Sequence, residues 1–391
     1  MNRTIVRGRL LIDGTGRPPI PKGAVLIEGD QIAAVGTEAA IGPVAGATVV
    51  DRGEEVLVPG LIDCHNHLTL TPSLDNYPAR LLDSDIELTL RATANMLIDL
   101  RSGVTTARCL GDRNFIDVAC KQGVQAGLLR GPRLLIATRG IRATHGHGFV
   151  GYPFDGADQI RRAVRENLKA GADVIKLFVT GTVRGTGEIP CYLSPEEIAT
   201  AVREAHNVGI QTTVHCIGGS GLDECLKAGI DCIEHGYFAT DRQIDLLAES
   251  GRWLVLTPSP FFSEERIRTL PQGHAEGFRR GREEVAERMA AVIESGVHFA
   301  VGTDAMHGGL ARELEYLTEL GLSSMGALLA VTRDAAQVCG LTESIGTLEP
   351  GKIADIVGLK GNPLEDIHAV GRVGSVIQSG RLLFPETGVQ P

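Results

Sequence analysis

The chain reads as an α/β protein: a (β/α)8 barrel over residues 56–345, with a small sheet domain assembled from residues 1–55 and 346–391. Three observations predict it. Both ends consist of short β-like runs separated by glycine turns, with no helix of useful length between them. The middle repeats one unit, in which an amphipathic helix ends at a glycine and a β-branched strand follows. About eight such strands can be counted, the number at which alternating strands and helices close into a barrel.

In chain order, the first β-like runs are 4–9, 24–28, 31–35 and 48–50, broken by turns such as Asp13-Gly14 and Gly29-Asp30. The barrel strands follow at 61–67, 104–109, 133–137, 173–179, 211–216, 231–235, 253–257 and 298–303. Gly103, Gly171, Gly209, Gly229, Gly251 and Gly296 each close the helix before a strand, as left-handed C-caps do. Ser194-Pro195-Glu196-Glu197 opens a helix with a capping box and proline at the first position. Residues 258–281, rich in proline, glycine and charge, read as a loop giving way to a helix near Glu283. β-like texture returns at 375–379 and 381–384.

Composition narrows the function. Forty-nine glycines suit an architecture with many tight turns, and a net charge of −10 argues against a nucleic-acid partner. Nowhere do 18 apolar residues run together, and the opening residues lack a stretch of signal-peptide length, so a soluble, cytoplasmic protein without a membrane partner is expected. The eight cysteines are scattered without a Cys-x-x-Cys pair and read as buried thiols.

A barrel carries its chemistry where its strands stop. The first strand stops at His65 and His67, which leave an extended chain on the same face and form half a metal site. The fifth stops at His215, the sixth at His235 and the eighth at Asp304. Each alone could be a satisfied core histidine or a turn-capping aspartate; five on one rim would need five coincidences. The fourth strand puts Lys176 inside an apolar run, Val174-Ile175-Lys176-Leu177-Phe178. An unpaired buried ammonium is unfavourable by several kcal/mol. Such a lysine either snorkels from a shallow strand or, as a neutral amine, takes up carbon dioxide to form a carbamate whose two oxygens can bridge two cations.

Val58-Pro59-Gly60-Leu61-Ile62-Asp63-Cys64-His65-Asn66-His67, strand-end His215 and His235, Gly302-Thr303-Asp304-Ala305 and the run from Gly346 to Asp355 together resemble the amidohydrolase superfamily. The resemblance covers nearly the whole chain in order. It implies a TIM barrel with a small β-sandwich from both termini and a centre of two divalent metal ions, usually zinc (Zn2+). His65 and His67 would bind the more buried ion, His215 and His235 the second, and a CO2-derived carbamate on Lys176 would bridge them. Asp304 would bind the first ion and shuttle a proton from the attacking water to the leaving amine. Residues 171–176 and 194–197 are similar to the branch of imidazolonepropionase-like enzymes and metal-dependent Xaa-Pro dipeptidases.

The resemblance further implies a homo-oligomer acting on a small-molecule substrate, with His147 and Tyr237 at the positions that contact it. Arg184 could pair with a substrate carboxylate. Deaminases of the superfamily commonly carry a glutamate three residues after the fifth-strand histidine; Gly218 stands there. A non-catalytic assembly protein would be expected to have lost ligands. The expectation is therefore a hydrolase of a C–N amide bond in a dipeptide (Xaa-Pro-like) or N-acyl amino acid, with a cyclic amide, a lactone or a xenobiotic amide or carbamate as the alternative substrate.

Overall fold

The computed structural model describes residues 2–72, 77–182 and 188–385. Eight parallel strands form the barrel: Leu61–Asn66, Val104–Cys109, Arg133–Ile136, Val174–Phe178, Gln211–Gly218, Cys232–Phe238, Trp253–Leu256 and Phe299–Val301. Two seams are closed by residues just outside the strands. Asp173 N donates to Ile136 O at 2.8 Å between the third and fourth, and Asp304 N to His65 O at 2.8 Å between the eighth and first. After a break at 137–140 the third strand resumes as Ile141–Arg142, which pairs with Leu177 and Phe178. All six predicted helix-closing glycines have positive φ, from 62° to 97°.

Two further sheets come from the termini. One runs in the order Gln31–Thr37, Gly23–Glu28, Arg3–Arg7, Ala47–Asp51; the other contains Arg381–Phe384, Val373–Gln378, Ile356–Leu359, Val56–Pro59, Leu10–Leu11 and Ile20–Pro21. Val6, Val25, Ile27, Leu57, Ile356 and Ile377 pack together as their shared core. The eight cysteines are free thiols, six of them buried.

Two boundaries differ from the sequence reading. The barrel was expected to begin at residue 56, but Val56–Pro59 pairs antiparallel with Ile356–Leu359 and belongs to the terminal sheet. The chain crosses into the barrel at Gly60, where a Cβ would collide with Thr105 and Asp355, so only glycine fits the crossing. The helix expected near Glu283 starts eleven residues earlier, as Gln272–Ser295, after two short helices, Ser259–Phe262 and Glu264–Ile267. Ala275 and Phe278 are buried on its first turns, and that packing overrides the low helix propensity of Gly273, Gly277 and Gly281. Among the described residues no helix is long and apolar enough to cross a membrane.

Candidate active site

His65 and His67 have their Nδ1 atoms engaged by acceptors. His65 Nδ1 lies 2.8 Å from Glu234 Oε2, and His67 Nδ1 lies 2.7 Å from the Gly111 carbonyl. Those partners place the ring protons on Nδ1 and leave both Nε2 atoms as bare lone pairs. The two Nε2 atoms nevertheless face each other at 3.3 Å, and Asp304 Oδ1 stands 3.5 and 3.7 Å from them. One donor atom from each of the three residues lies within 4.8 Å of the others. Three electron-pair donors converging without a proton to share is an arrangement that a cation completes.

The second half of the rim is built the same way. His235 Nδ1 is 2.7 Å from Thr257 Oγ1, so its Nε2 is free; His215 Nε2 is 3.0 Å from the Gly181 carbonyl, so its Nδ1 is free. The rings follow one another in a chain of tilted and edge-on contacts: His65 to His235 at 4.8 Å, His235 to His215 at 4.5 Å, and His215 to His147 at 4.5 Å between centroids. Burial, and after it neighbouring positive charge, holds His215 and His235 well below the usual histidine range; burial brings His65 and His147 down to about 4. All four are neutral at pH 7, the form in which imidazole donates a lone pair.

Lys176 lies wholly inside the barrel, and its Nζ has no hydrogen-bond partner among the described residues. Desolvation lowers its pKa to about 8, against the pull of Glu234 and Asp304. A neutral amine is therefore accessible near physiological pH. One layer away the polar groups are fully matched: Arg108 Nη2 donates to Glu234 Oε1 at 2.7 Å and Arg108 Nε to the Cys64 carbonyl at 2.8 Å, while the Thr213 hydroxyl also bonds Glu234. Glu234 thus fixes the tautomer of His65 from behind.

Three rim residues adopt left-handed backbone that side chains disfavour: His235 at φ 77°, Asp304 at 48° and Ala305 at 72°. Asp304 is steadied by Arg266, whose Nη2 donates to Oδ2 at 3.1 Å and whose Nη1 donates to the Asp304 carbonyl at 3.0 Å. Burial would raise the Asp304 carboxyl, but Arg266 and the histidines more than offset it and hold the group well below the usual range.

His65, His67, His147, His215, His235, Tyr237 and Asp304 all line one cavity of about 440 Å³ at the C-terminal ends of the strands. Leu70, Phe149, Val150, Phe178, Leu270 and Phe278 supply its apolar wall. Tyr237 is buried, with its hydroxyl donating to the Thr257 carbonyl at 2.9 Å. His145, the other histidine of the loop that carries His147, is exposed and meets the Tyr192 ring edge-on instead. Arg184 lies outside the described residues.

The sequence reading missed Glu234, Arg108, Thr257 and Arg266. Glu234 and Arg108 carried a usable signal, since each is a charged residue inside a buried strand, as Lys176 is. Arg266 had none, because it reaches Asp304 from a short helix expected to be loop.

A (β/α)8 barrel with histidines and an aspartate converging at its strand ends is the architecture of a metal-dependent hydrolase. The model of the Amidohydrolase family matches residues 56–383, and the chain belongs to that family. It is an enzyme that hydrolyses C–N bonds. Among characterised relatives it is similar to ochratoxinase of Aspergillus niger, at 29% identity over 99% of this chain and 88% of that one. Among solved structures it resembles a Xaa-Pro dipeptidase with methionine bound in its active site, at 28% identity and a TM-score of 0.87 over 97% and 99% of the two chains. A prolidase complexed with N-methylphosphonate-L-proline superposes with a TM-score of 0.89 at 25% identity, covering 98% and 99%.

Proposed function

We propose that the chain is a binuclear metal amidohydrolase cleaving an N-acyl amino acid or an Xaa-Pro-like dipeptide into an acid and an amine. The observation that carries this reading is Lys176, a buried amine with no hydrogen-bond partner among the described residues, in the barrel whose rim carries the four histidines. His65, His67 and Asp304 would hold one divalent cation, zinc by donor type, and His215 and His235 a second. A carbamate on Lys176 would bridge them and remove the orphaned amine. Bound there, the cations would supply Lewis acidity for the substrate carbonyl and bring the pKa of a water toward neutrality.

The remaining work falls to the chain's own groups. Asp304 accepts the proton from the attacking water on Oδ1 and passes it to the departing nitrogen, while Arg266 holds Oδ2 still. Neutral His147, facing the cavity, donates a hydrogen bond to the substrate's carbonyl or carboxylate, and the Tyr237 hydroxyl, whose proton goes to the Thr257 carbonyl, lines the same cavity. The apolar wall takes the acyl or amine side chain and excludes water from the site. That wall favours bulky apolar groups, so N-acyl derivatives of large apolar amino acids are the preferred class and xenobiotic amides the second.

Metal content per chain, measured on the native protein and on Lys176→Ala, tests the reading. Close to two ions, falling in the variant, is the expected result. A single ion indifferent to Lys176 would overturn the bridged centre and reopen a mononuclear, deaminase-like chemistry.

A further inference from the structure

His147, Gly148, Phe149 and Val150, four consecutive residues of one loop, line the cavity. The loop leaves Ile141–Arg142 and returns at Tyr152–Pro153, which pairs with those same two residues. Its middle is pressed onto the fourth strand. Gly148 has φ 92°, and a Cβ there would lie 2.4 Å from the Phe178 ring, so glycine alone lets the chain settle so close. That contact fixes Gly148, and the curl of the chain on either side of it needs a second anchor.

Arg142 supplies one. Its Nη1 donates to the carbonyls of Ala143, Thr144 and Gly146 at 3.2, 3.2 and 3.1 Å, and its guanidinium carbon lies 5.0 Å from the centroid of the Phe149 ring. Three carbonyl oxygens aimed at one point repel one another, and a cation standing between them turns that repulsion into attraction. Arg142 is half-buried, and among the described residues no carboxylate lies within ion-pair distance of it and its Nε has no hydrogen-bond partner. Asp155, which acts on it from farther away, is bonded to the backbone N–H and hydroxyl of Thr144. Arg113 adds a single donor to the loop, at 3.3 Å from the Phe149 carbonyl. The charge of Arg142 is therefore directed at the loop and not at an acid. Gly146, whose carbonyl has no other donor among the described residues, directly precedes His147.

We propose that Arg142 is a positioning residue for substrate recognition, holding the loop curled so that His147 and Phe149 stand in the cavity together. The inference rests on the reading above, in which His147 and the apolar wall bind the substrate. Arg142 does not itself line the cavity, so it acts through the loop, on binding and not on the metal ligands or the proton transfer. Lysine would keep the charge and still serve the carbonyls, but it has no planar face to lie against Phe149. Phe149 is 49% exposed and has little else to hold its ring in place.

Three measurements on the full chain loaded with metal test the proposal: kinetics on N-acetyl-L-phenylalanine, metal content, and hydrogen exchange over residues 143–151. Arg142→Met should raise KM about tenfold with kcat within about twofold, the effect of losing a charged hydrogen-bond donor that serves binding alone. Metal content should be unchanged, and exchange over 143–151 should quicken about tenfold while that over Gln211–Gly218 stays as in the parent. Arg142→Lys should restore the slow exchange but only part of the KM, since the carbonyls are served and the ring is not. Should Arg142→Met fail to fold, Arg142→Lys carries the test alone, with a raised KM at unchanged kcat. A fall in kcat at constant KM, a loss of metal, or exchange over 143–151 that Arg142→Met leaves unaltered would each overturn the proposal. A parent that does not hydrolyse N-acetyl-L-phenylalanine would overturn the substrate reading instead, and the exchange comparison would still decide whether Arg142 holds the loop.

Discussion

Arg108 and Lys176 are both cations buried inside barrel strands, yet their surroundings are opposite. Arg108 is matched on both sides, by the Glu234 carboxylate and the Cys64 carbonyl. Glu234 answers in kind, held well below the usual carboxylate range because Arg108 and His65 outweigh its burial. Lys176 is as deeply buried, yet among the described residues its Nζ has no hydrogen-bond partner and meets only the Phe178 ring, at 5.2 Å. The layer around Arg108 is complete as protein. The layer around Lys176 leaves its amine without a hydrogen bond among the described residues. Folded chains commonly leave buried polar groups unmatched at functional sites, so on the proposed reading the contrast separates scaffold from chemistry within one barrel.

Substituting each cation should therefore produce opposite effects. Lys176→Met should abolish activity, by roughly 10³-fold or more, if the amine organises the electrostatics of the reaction. Thermal unfolding of the metal-free variant should be no lower than that of the metal-free parent, since a desolvated ammonium has been removed. A variant that unfolds earlier would show that Lys176 has a structural partner. Arg108→Met should instead destabilise by about 3–5 kcal/mol, because Glu234 is left as an uncompensated buried charge. Urea unfolding measures this directly, and a loss near zero would break the distinction between the two layers.

Arg266 sharpens the contrast, as a cation engaged on one side only. Arg266→Gln should lower kcat by about 10–100-fold, the usual effect of losing a group that orients a metal ligand, with KM little changed. Equal losses in kcat/KM carried by KM alone would mean that Arg266 binds substrate rather than orienting Asp304.

Glu313 supplies the smallest effect. It accepts from the Ser259 backbone N–H at 2.8 Å and from the Ser259 hydroxyl, no described cation is bonded to it, and burial raises its pKa from 4.5 to about 8. Between those values the folded chain keeps a proton that the unfolded chain has released, so the contribution of this group to stability falls as pH rises through the window. Glu313→Gln should remove that fall. The melting temperature of the parent, relative to the variant, should decline by a few degrees from pH 5 to pH 8. Parallel profiles would show that Glu313 is ionised throughout.

Much of this was legible along the chain. All eight barrel strands lie within a few residues of their predicted positions, because strand-helix alternation and helix-closing glycines are local signals. His65, His67, His215, His235 and Asp304 were legible as strand-end polar residues, and Lys176 as a charge in an apolar run. The helix at Gln272 was not, because its glycines are poor local helix formers and only the burial of Phe278 decides the matter. Nor was the place of Val56–Pro59, an apolar run equally suited to either sheet until its partner Ile356–Leu359, some 300 residues away in the chain, is known.

The sequence by itself determined the class of fold, the rim on which the chemistry sits and the residue types that line it, since periodicity and strand ends are properties of neighbours in the chain. Tertiary structure alone decided which nitrogen of each histidine is free, that Arg266 faces Asp304, and that Arg108 is hydrogen-bonded and Lys176 is not. Those facts depend on hydrogen-bond partners and burial supplied by segments far apart in the chain, and no local pattern encodes them.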